Sequence, residues 1–292
     1  MENKRFDLMH VSTTLVAILI FLFMLCHSLG LLFGTADFLL SYLNIASKEP
    51  LKVITIGQTN FFKAIGISSL VTAGLFLVSI IKRETLNLSK AYVLKYAIWV
   101  AICTVALYGF LMRSVSNQQG AALLFFFTTL LYLVFSRINE TNGQQSSLLL
   151  NNIALLPLYA VLFYTMGFPG WAKIFGGEAV IVRYIGMFKD SFIASLPGGI
   201  PFMIYVLGVL ELLVPVLLII SLIKGEFRQT VSKLWLNYAL VVTILTFVML
   251  CFGLSVILNF VGSANLVFYA IFTFLMFVYI NRSSEHQKLT EI

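Results

Sequence analysis

Apolar residues run along this chain in blocks near twenty residues long. The lysines, arginines, asparagines and glycines collect in short stretches between them. A helix rises about 1.5 Å per residue, so about 20 apolar residues cross a hydrocarbon core of about 30 Å. The blocks therefore predict eight transmembrane helices, at roughly 12–34, 62–81, 92–115, 121–138, 151–168, 202–223, 234–258 and 264–281. A helix satisfies its own backbone hydrogen bonds in lipid, so the expected fold class is an all-α polytopic membrane protein. No stretch outside the blocks is long enough to build an aqueous core. The first block is longer than the apolar region of a signal peptide and no small-residue cleavage site follows it, so it reads as a span. Leu25 precedes Cys26 where a lipoprotein signal would want a small residue, which argues against lipid attachment there.

The blocks repeat. Ile65-Gly66 through Lys82-Arg83-Glu84 lies opposite Leu207-Gly208 through Lys224-Gly225-Glu226, an offset of 142 residues. The same offset pairs Leu94 and Tyr96 with Leu236 and Tyr238, Gly120 and Phe126 with Gly262 and Phe268, and Asn139 with Asn281. Roughly thirty identities fall over about 120 ungapped positions, and a constant period on this scale marks repeated units. Each copy holds four predicted spans, an even number, so both enter and leave on the same side. The expectation is two parallel-repeat four-helix bundles, residues 1–142 and 143–292, joined by the polar stretch 139–147. The longest loop of each copy lies between its first and second spans. In the second copy, Pro169 to Pro201 alternates apolar residues with Lys173, Glu178, Arg183, Lys189 and Asp190, which predicts a short helix at the interface or over the bundle. The first copy's counterpart, Phe38 to Leu51, is also apolar.

Composition sharpens the class. The chain is 60% hydrophobic and 11% charged, with mean hydropathy +0.98, where a soluble domain carries about 25% charged residues. The net charge of +7 does not point to nucleic acid, because the basic residues sit between spans. With the N-terminus inside, twelve lysines and arginines fall on the inner face and seven on the outer. That bias places both termini in the cytoplasm of a cell inner membrane. The three cysteines, Cys26, Cys103 and Cys251, form no C-x-x-C pair and do not align across the repeat, so they read as small apolar helix residues rather than a disulfide centre. His27 stands alone in its span and reads as a packing residue. No metal site, nucleophile elbow or phosphate loop is evident.

One charge falls in mid-span. Glu211 lies near the centre of its block, where a carboxylate costs about 2.5–3.5 kcal/mol on insertion scales and is a functional candidate by default. Pro215, four residues on, lacks the N–H that would bond the carbonyl of Glu211. Gly208, on the same face, admits a close neighbour. The first copy has Gly66, Ser69 and Ala73 there, keeping the glycine and losing charge and kink. Burial disfavours the charged form unless a cation, Lys173 or Arg183, reaches it. Tyr205, Tyr238, Tyr159 and Tyr164 are further candidate partners. Glu211 thus reads as a group fixing helix register, as a ligand, proton or metal site, or as a protein contact, and Lys173 either as its partner or as an interfacial anchor.

Gly167-Phe-Pro-Gly170-Trp-Ala-Lys173, Pro197 and Tyr205-Val-Leu-Gly208-Val-Leu-Glu211-Leu resemble the DoxX-like integral membrane proteins. That family is similar in its four helices, a G-x-x-K element closing the first, a proline before the second and a G-x-x-E-L element within it. Gly170, Lys173, Pro197, Gly208 and Glu211 match residue by residue. The first half is reached only through the repeat, with Gly30 and Leu31 near the positions of the glycine and lysine and Ser69 in place of the glutamate. The family takes its name from a membrane subunit associated with thiosulfate–quinone oxidation, and some relatives look like assembly helpers. The resemblance therefore implies an accessory or assembly protein, or a subunit of a membrane system, with a membrane protein as partner besides the bilayer. The alternatives are a quinone-linked oxidoreductase subunit binding a lipid ring near Glu211, Tyr205 and Tyr238, and a small-solute or proton transporter. The sequence commits to no catalytic residue, no metal and no evident cofactor beyond that quinone.

Overall fold

The computed structural model describes residues 8–34, 55–114, 118–142, 148–228 and 231–290. The described residues are helical, with no strand among them, and the chain divides into two compact units, 1–147 and 148–292. The apolar loop read at 38–51 lies outside the described residues, as does 143–147 of the polar junction.

The first unit holds α1 (Leu8–Phe33), α2 (Thr55–Ile81), α3 (Tyr92–Ser114) and α4 (Gln118–Asn142). Each packs on the next in sequence, and two single 3-10 turns, Glu84–Leu86 and Leu88–Lys90, join α2 to α3. Its core is built by the inward faces of α3 and α4, where Ile98, Ile102, Leu131, Tyr132 and Phe135 are fully buried. Leu15, Val71, Leu107 and Leu123 point outward.

The second unit opens with the short helix α5 (Leu148–Ile153), followed by α6 (Leu156–Phe175), α7 (Gly177–Phe188), α8 (Gly199–Ile223), α9 (Leu234–Val256) and α10 (Phe260–Thr290). Pro157 sits in the first turn of α6, where a missing N–H costs no helical bond. Helix α6 packs on α8, α8 on α9, and α9 on α10, while α7 leans on α6 and α8. Helix α7 is the short amphipathic helix expected between Pro169 and Pro201. Its Phe188 is buried against Ile193, Ile200 and Ile204, and Tyr184 packs beside them. Gly198, at φ 82, makes the turn that starts α8.

Among the described residues, seven helices are long and apolar enough to cross a membrane: Val11–Phe33, Asn60–Ile81, Tyr92–Ser114, Gln119–Asn139, Gly199–Ile223, Leu234–Val256 and Phe260–Asn281. The chain is a membrane protein whose outward apolar side chains meet lipid. The remaining predicted span, 151–168, is occupied by the end of α5, a turn at Ala154–Leu155, and most of α6. Helix α6 has the length but not the hydropathy of the other seven, because it carries two prolines, two tyrosines, Trp171 and Lys173. Two of them, Tyr159 and Lys173, bond to residues of α8.

Candidate functional site

The crossing of α6 and α8 is made by glycines. A Cβ at Gly170 would lie 2.8 Å from the Cβ of Glu211 and 2.9 Å from the backbone nitrogen of Leu212. A Cβ at Gly208 would lie 3.0 Å from the Cβ of Lys173 and 2.8 Å from the Cδ1 of Ile174. One turn further along, a Cβ at Gly167 would meet the Cγ of Pro215 at 3.4 Å. The two motifs thus interlock, each glycine receiving the charged residue of the opposite helix. Both helices approach closely enough that their third residues meet.

At that meeting point the Lys173 Nζ donates to both carboxylate oxygens of Glu211, each at 2.7 Å. Lys173 is 5% exposed and Glu211 1%, so the pair is sealed from solvent and lipid. The Lys173 ammonium also lies 5.8 Å from the ring centre of Tyr184 on α7, which closes over the pair. A buried carboxylate is tolerated only with a counter-charge in good geometry, and the lysine supplies it. The anchoring role considered for Lys173 gives way to pairing, because its stem runs inward across Gly208.

The other candidates stand apart. Pro215 is buried against Gly167, where its ring fills the next turn of the crossing. Arg183 is on the exposed side of α7. Tyr205 and Tyr238 are 42% and 51% exposed, so the structure does not gather them around the buried Glu211. Tyr164 is buried on α6. Tyr159, also weighed as a partner of Glu211, belongs to a different cluster at the far end of the same seam.

In that cluster the Tyr159 hydroxyl is 2.7 Å from Ser221 Oγ, and Ser221 Oγ donates to Glu226 Oε2 at 2.7 Å. Ser221 has one proton, so Tyr159 is the donor to it. Glu226 in turn accepts the backbone N–H groups of Trp235 (3.1 Å) and Leu236 (2.8 Å) at the start of α9. Its own N–H bonds the carbonyl of Ser221 at 3.0 Å, closing the end of α8 with Gly225 at φ 71. The carboxylate therefore joins the end of one helix to the open N–H groups of the next.

The same clamp occurs 142 residues earlier. Ser79 donates to Glu84 Oε2 at 3.1 Å, and Glu84 accepts the N–H groups of Val93 (3.3 Å) and Leu94 (2.7 Å). The glycine crossing recurs as well: a Cβ at Gly66 would meet the Leu31 Cβ at 3.1 Å and the Leu32 Cγ at 3.0 Å. Leu31 and Leu32 stand at the offset positions of Lys173 and Ile174. Ser28 and Ser69, both buried, stand for Gly170 and Glu211, and Ala17 for Tyr159. The two clamps went unread in the sequence because Glu84 and Glu226 sit among lysines and arginines and look solvated. Their signal was the five-residue spacing from serine to glutamate, kept in both halves.

No family model, no curated protein and no solved structure matches this chain.

Proposed function

We propose that the chain is a DoxX-like integral membrane protein built from two tandem four-helix units, with eight spans and both termini cytoplasmic. Its role is that of an accessory or assembly protein, or a subunit, of a larger membrane system. The observation that carries the reading is the interlock of Gly170-x-x-Lys173 with Gly208-x-x-Glu211, closed at 2.7 Å. This is the pair of motifs on which the resemblance rests, meeting at one point. The tandem reading is supported by the recurrence at a single offset of both the glycine crossing and the serine–glutamate clamp. An eighth span at α6 is supported by its antiparallel packing along α8, with Tyr159 and Lys173 turned toward that partner.

The arrangement favours a scaffold over a conduit. The mid-membrane carboxylate is committed to a lysine in a crossing with no room for a Cβ, so a transported ion would have to break a buried pair. A rigid, internally neutral seam suits a surface held in shape for another membrane protein. The test is gentle purification of the full chain from its own membrane, with mass spectrometry of everything that co-purifies. A stoichiometric protein partner, lost on Lys173→Leu/Glu211→Ser at matched membrane abundance, supports the accessory reading. A stoichiometric quinone and no protein would replace it with the redox reading.

A further inference from the structure

The two loops that follow α2 and α8 hold the same unusual balance of charge. Residues 82–91 contain Lys82, Arg83, Lys90 and the single acid Glu84; residues 224–233 contain Lys224, Arg228, Lys233 and the single acid Glu226. Both acids are buried, at 9% and 2% exposure, and each carboxylate is occupied by two backbone N–H groups and a serine hydroxyl. Lys233 is turned inward too, donating to the carbonyls of Arg228 and Val231. The charges left on the surface are all positive: Lys82, Arg83 and Lys90 in one loop, Lys224 and Arg228 in the other.

The backbone adds a second observation. Arg83 has φ 55 and ψ 30, the left-handed region that disfavours any side chain with a Cβ. Its counterpart 142 residues on is Gly225, at φ 71, which takes that conformation without strain. The first unit thus places a guanidinium at a turn position where the second uses glycine. Strain retained at one position of a repeated turn points to a use for the side chain. The surroundings match a membrane boundary: Ile81 and Ile223, beside the cations, are 70% and 81% exposed, and Tyr96 and Tyr238 stand outward on the first turns of α3 and α9.

We infer that each loop is a binding site for the phosphate of an anionic phospholipid, its cations meeting the headgroup while the flanking isoleucine and tyrosine meet the acyl boundary. Withdrawal of Glu84 and Glu226 into the helix clamps is what leaves the cations without a counter-charge among the described residues of their own loops. The lipid, rather than free phosphate, is the occupant because the cations lie directly beside strongly exposed apolar residues at the span ends, Ile81 and Ile223. Tyr238 is on this reading an interface residue, which accounts for its distance from Glu211.

The experiment is native mass spectrometry of the full chain in neutral detergent, titrated with phosphatidylglycerol or phosphatidylcholine. Wild type is expected to retain phosphatidylglycerol preferentially, and 0.5 M salt to erase the preference, since surface attraction to anionic lipid is screened. Lys82→Gln/Arg83→Gln/Lys90→Gln and Lys224→Gln/Arg228→Gln should each lower retention, by about fivefold per cation removed. Lys63→Gln/Lys189→Gln, which removes exposed cations elsewhere, should not. Arg83→Gly separates the site from folding: it relieves the turn and should raise thermal stability while lowering phosphatidylglycerol retention. Equal retention of both lipids, indifference to salt, an equal effect of the control pair, or unchanged retention in Arg83→Gly each overturns the proposal. Displacement of the lipid by millimolar inorganic phosphate overturns the lipid assignment.

Discussion

Removing one member of the Lys173–Glu211 pair gives the sharpest prediction. Both side chains are almost wholly buried, and the ammonium contacts two oxygens at 2.7 Å. Glu211→Gln keeps the shape, and from sequence it reads as a mild change. With Lys173 seated on the carboxylate, it strands a cation that is 5% exposed, in a crossing with no room for a Cβ at Gly170 or Gly208. Lys173→Met strands the carboxylate instead. Breaking a buried pair from one side costs about 3–5 kcal/mol. The glutamine variant belongs at the lower end, because its amide oxygen still accepts one bond. Replacing both partners is different. The first unit holds Leu31 and Ser69 at these positions over the same glycine approach, so Lys173→Leu/Glu211→Ser leaves no buried charge and should lie within about 1 kcal/mol of wild type. The assay is unfolding in mixed micelles followed by tryptophan fluorescence and far-ultraviolet dichroism, with Lys173→Leu, Glu211→Ser, their double variant and wild type forming a double-mutant cycle. On the scale for domains of this size the single variants lose about 6–20 °C in Tm. Single variants within about 0.5 kcal/mol of wild type, or a double variant as unstable as the sum of the singles, would refute the reasoning.

Four further outcomes follow from neighbouring geometry. Gly170→Ala drives a Cβ into the Glu211 stem and the Leu212 backbone, so it should cost about 1–3 kcal/mol; Gly208→Ala should cost less, because the flexible end of Ile174 can move aside. Both are read by the same unfolding assay. Glu84→Ala and Glu226→Ala should destabilise their units by similar amounts, about 1.5–3 kcal/mol, since each removes a charged acceptor from two helix-start N–H groups. A large difference between the two would show that the clamps are not equivalent. Burial holds the Lys233 ammonium down at about 8, against a partly opposing attraction to Glu226. The folded state therefore binds fewer protons than the unfolded one between about 8 and the usual lysine range. Stability should rise with pH across that window, and Lys233→Met should flatten the rise. For orientation, Lys90→Cys and Lys224→Cys should resist a membrane-impermeant thiol reagent in intact cells and react after lysis; labelling from outside would reverse the assigned topology.

The spans were legible because lipid imposes a single requirement on every residue of a helix that faces it. The predicted ends of α3 and α9 fall within two residues of the observed ones. Helix α6 was harder to place. Its bonding face is polar, so the apolar run stops at Phe168 while the helix continues to Phe175. The Lys173–Glu211 pair was visible as a mid-span charge with a lysine that a neighbouring helix end could deliver. Which of the four candidate tyrosines stood near it was not visible. Tyr159 precedes Lys173 by fourteen residues, about 21 Å along a helix, so it serves Ser221 at the other end of the seam. Tyr184 was missed because its distance from Glu211 in the chain says nothing about how α7 folds back. In the second unit the recurring asparagine has an amide partner, Asn281 Oδ1 accepting from Asn237 at 2.9 Å, whereas the first unit has Lys95 at the position of Asn237.

The contrast between the halves bears on what the buried pair is for. The parts held in common are those that any such unit needs: the glycine approach at Gly66 and Gly208, and the clamps at Glu84 and Glu226. Among the parts that differ are five on the seam of α6 and α8, where Tyr159, Gly170, Lys173, Glu211 and Pro215 stand in place of Ala17, Ser28, Leu31, Ser69 and Ala73. The first unit closes its crossing with leucine and serine, so packing alone does not require two charges in that place. A buried ion pair is on balance no more stable than a well-packed neutral pair. Its presence in one copy is therefore better explained by what the second unit does than by how it folds. The double replacement Lys173→Leu/Glu211→Ser tests this directly: it should match wild type in stability and membrane abundance while losing the co-purifying partner. Retention of that partner by a stable double variant would assign the charges to helix register alone.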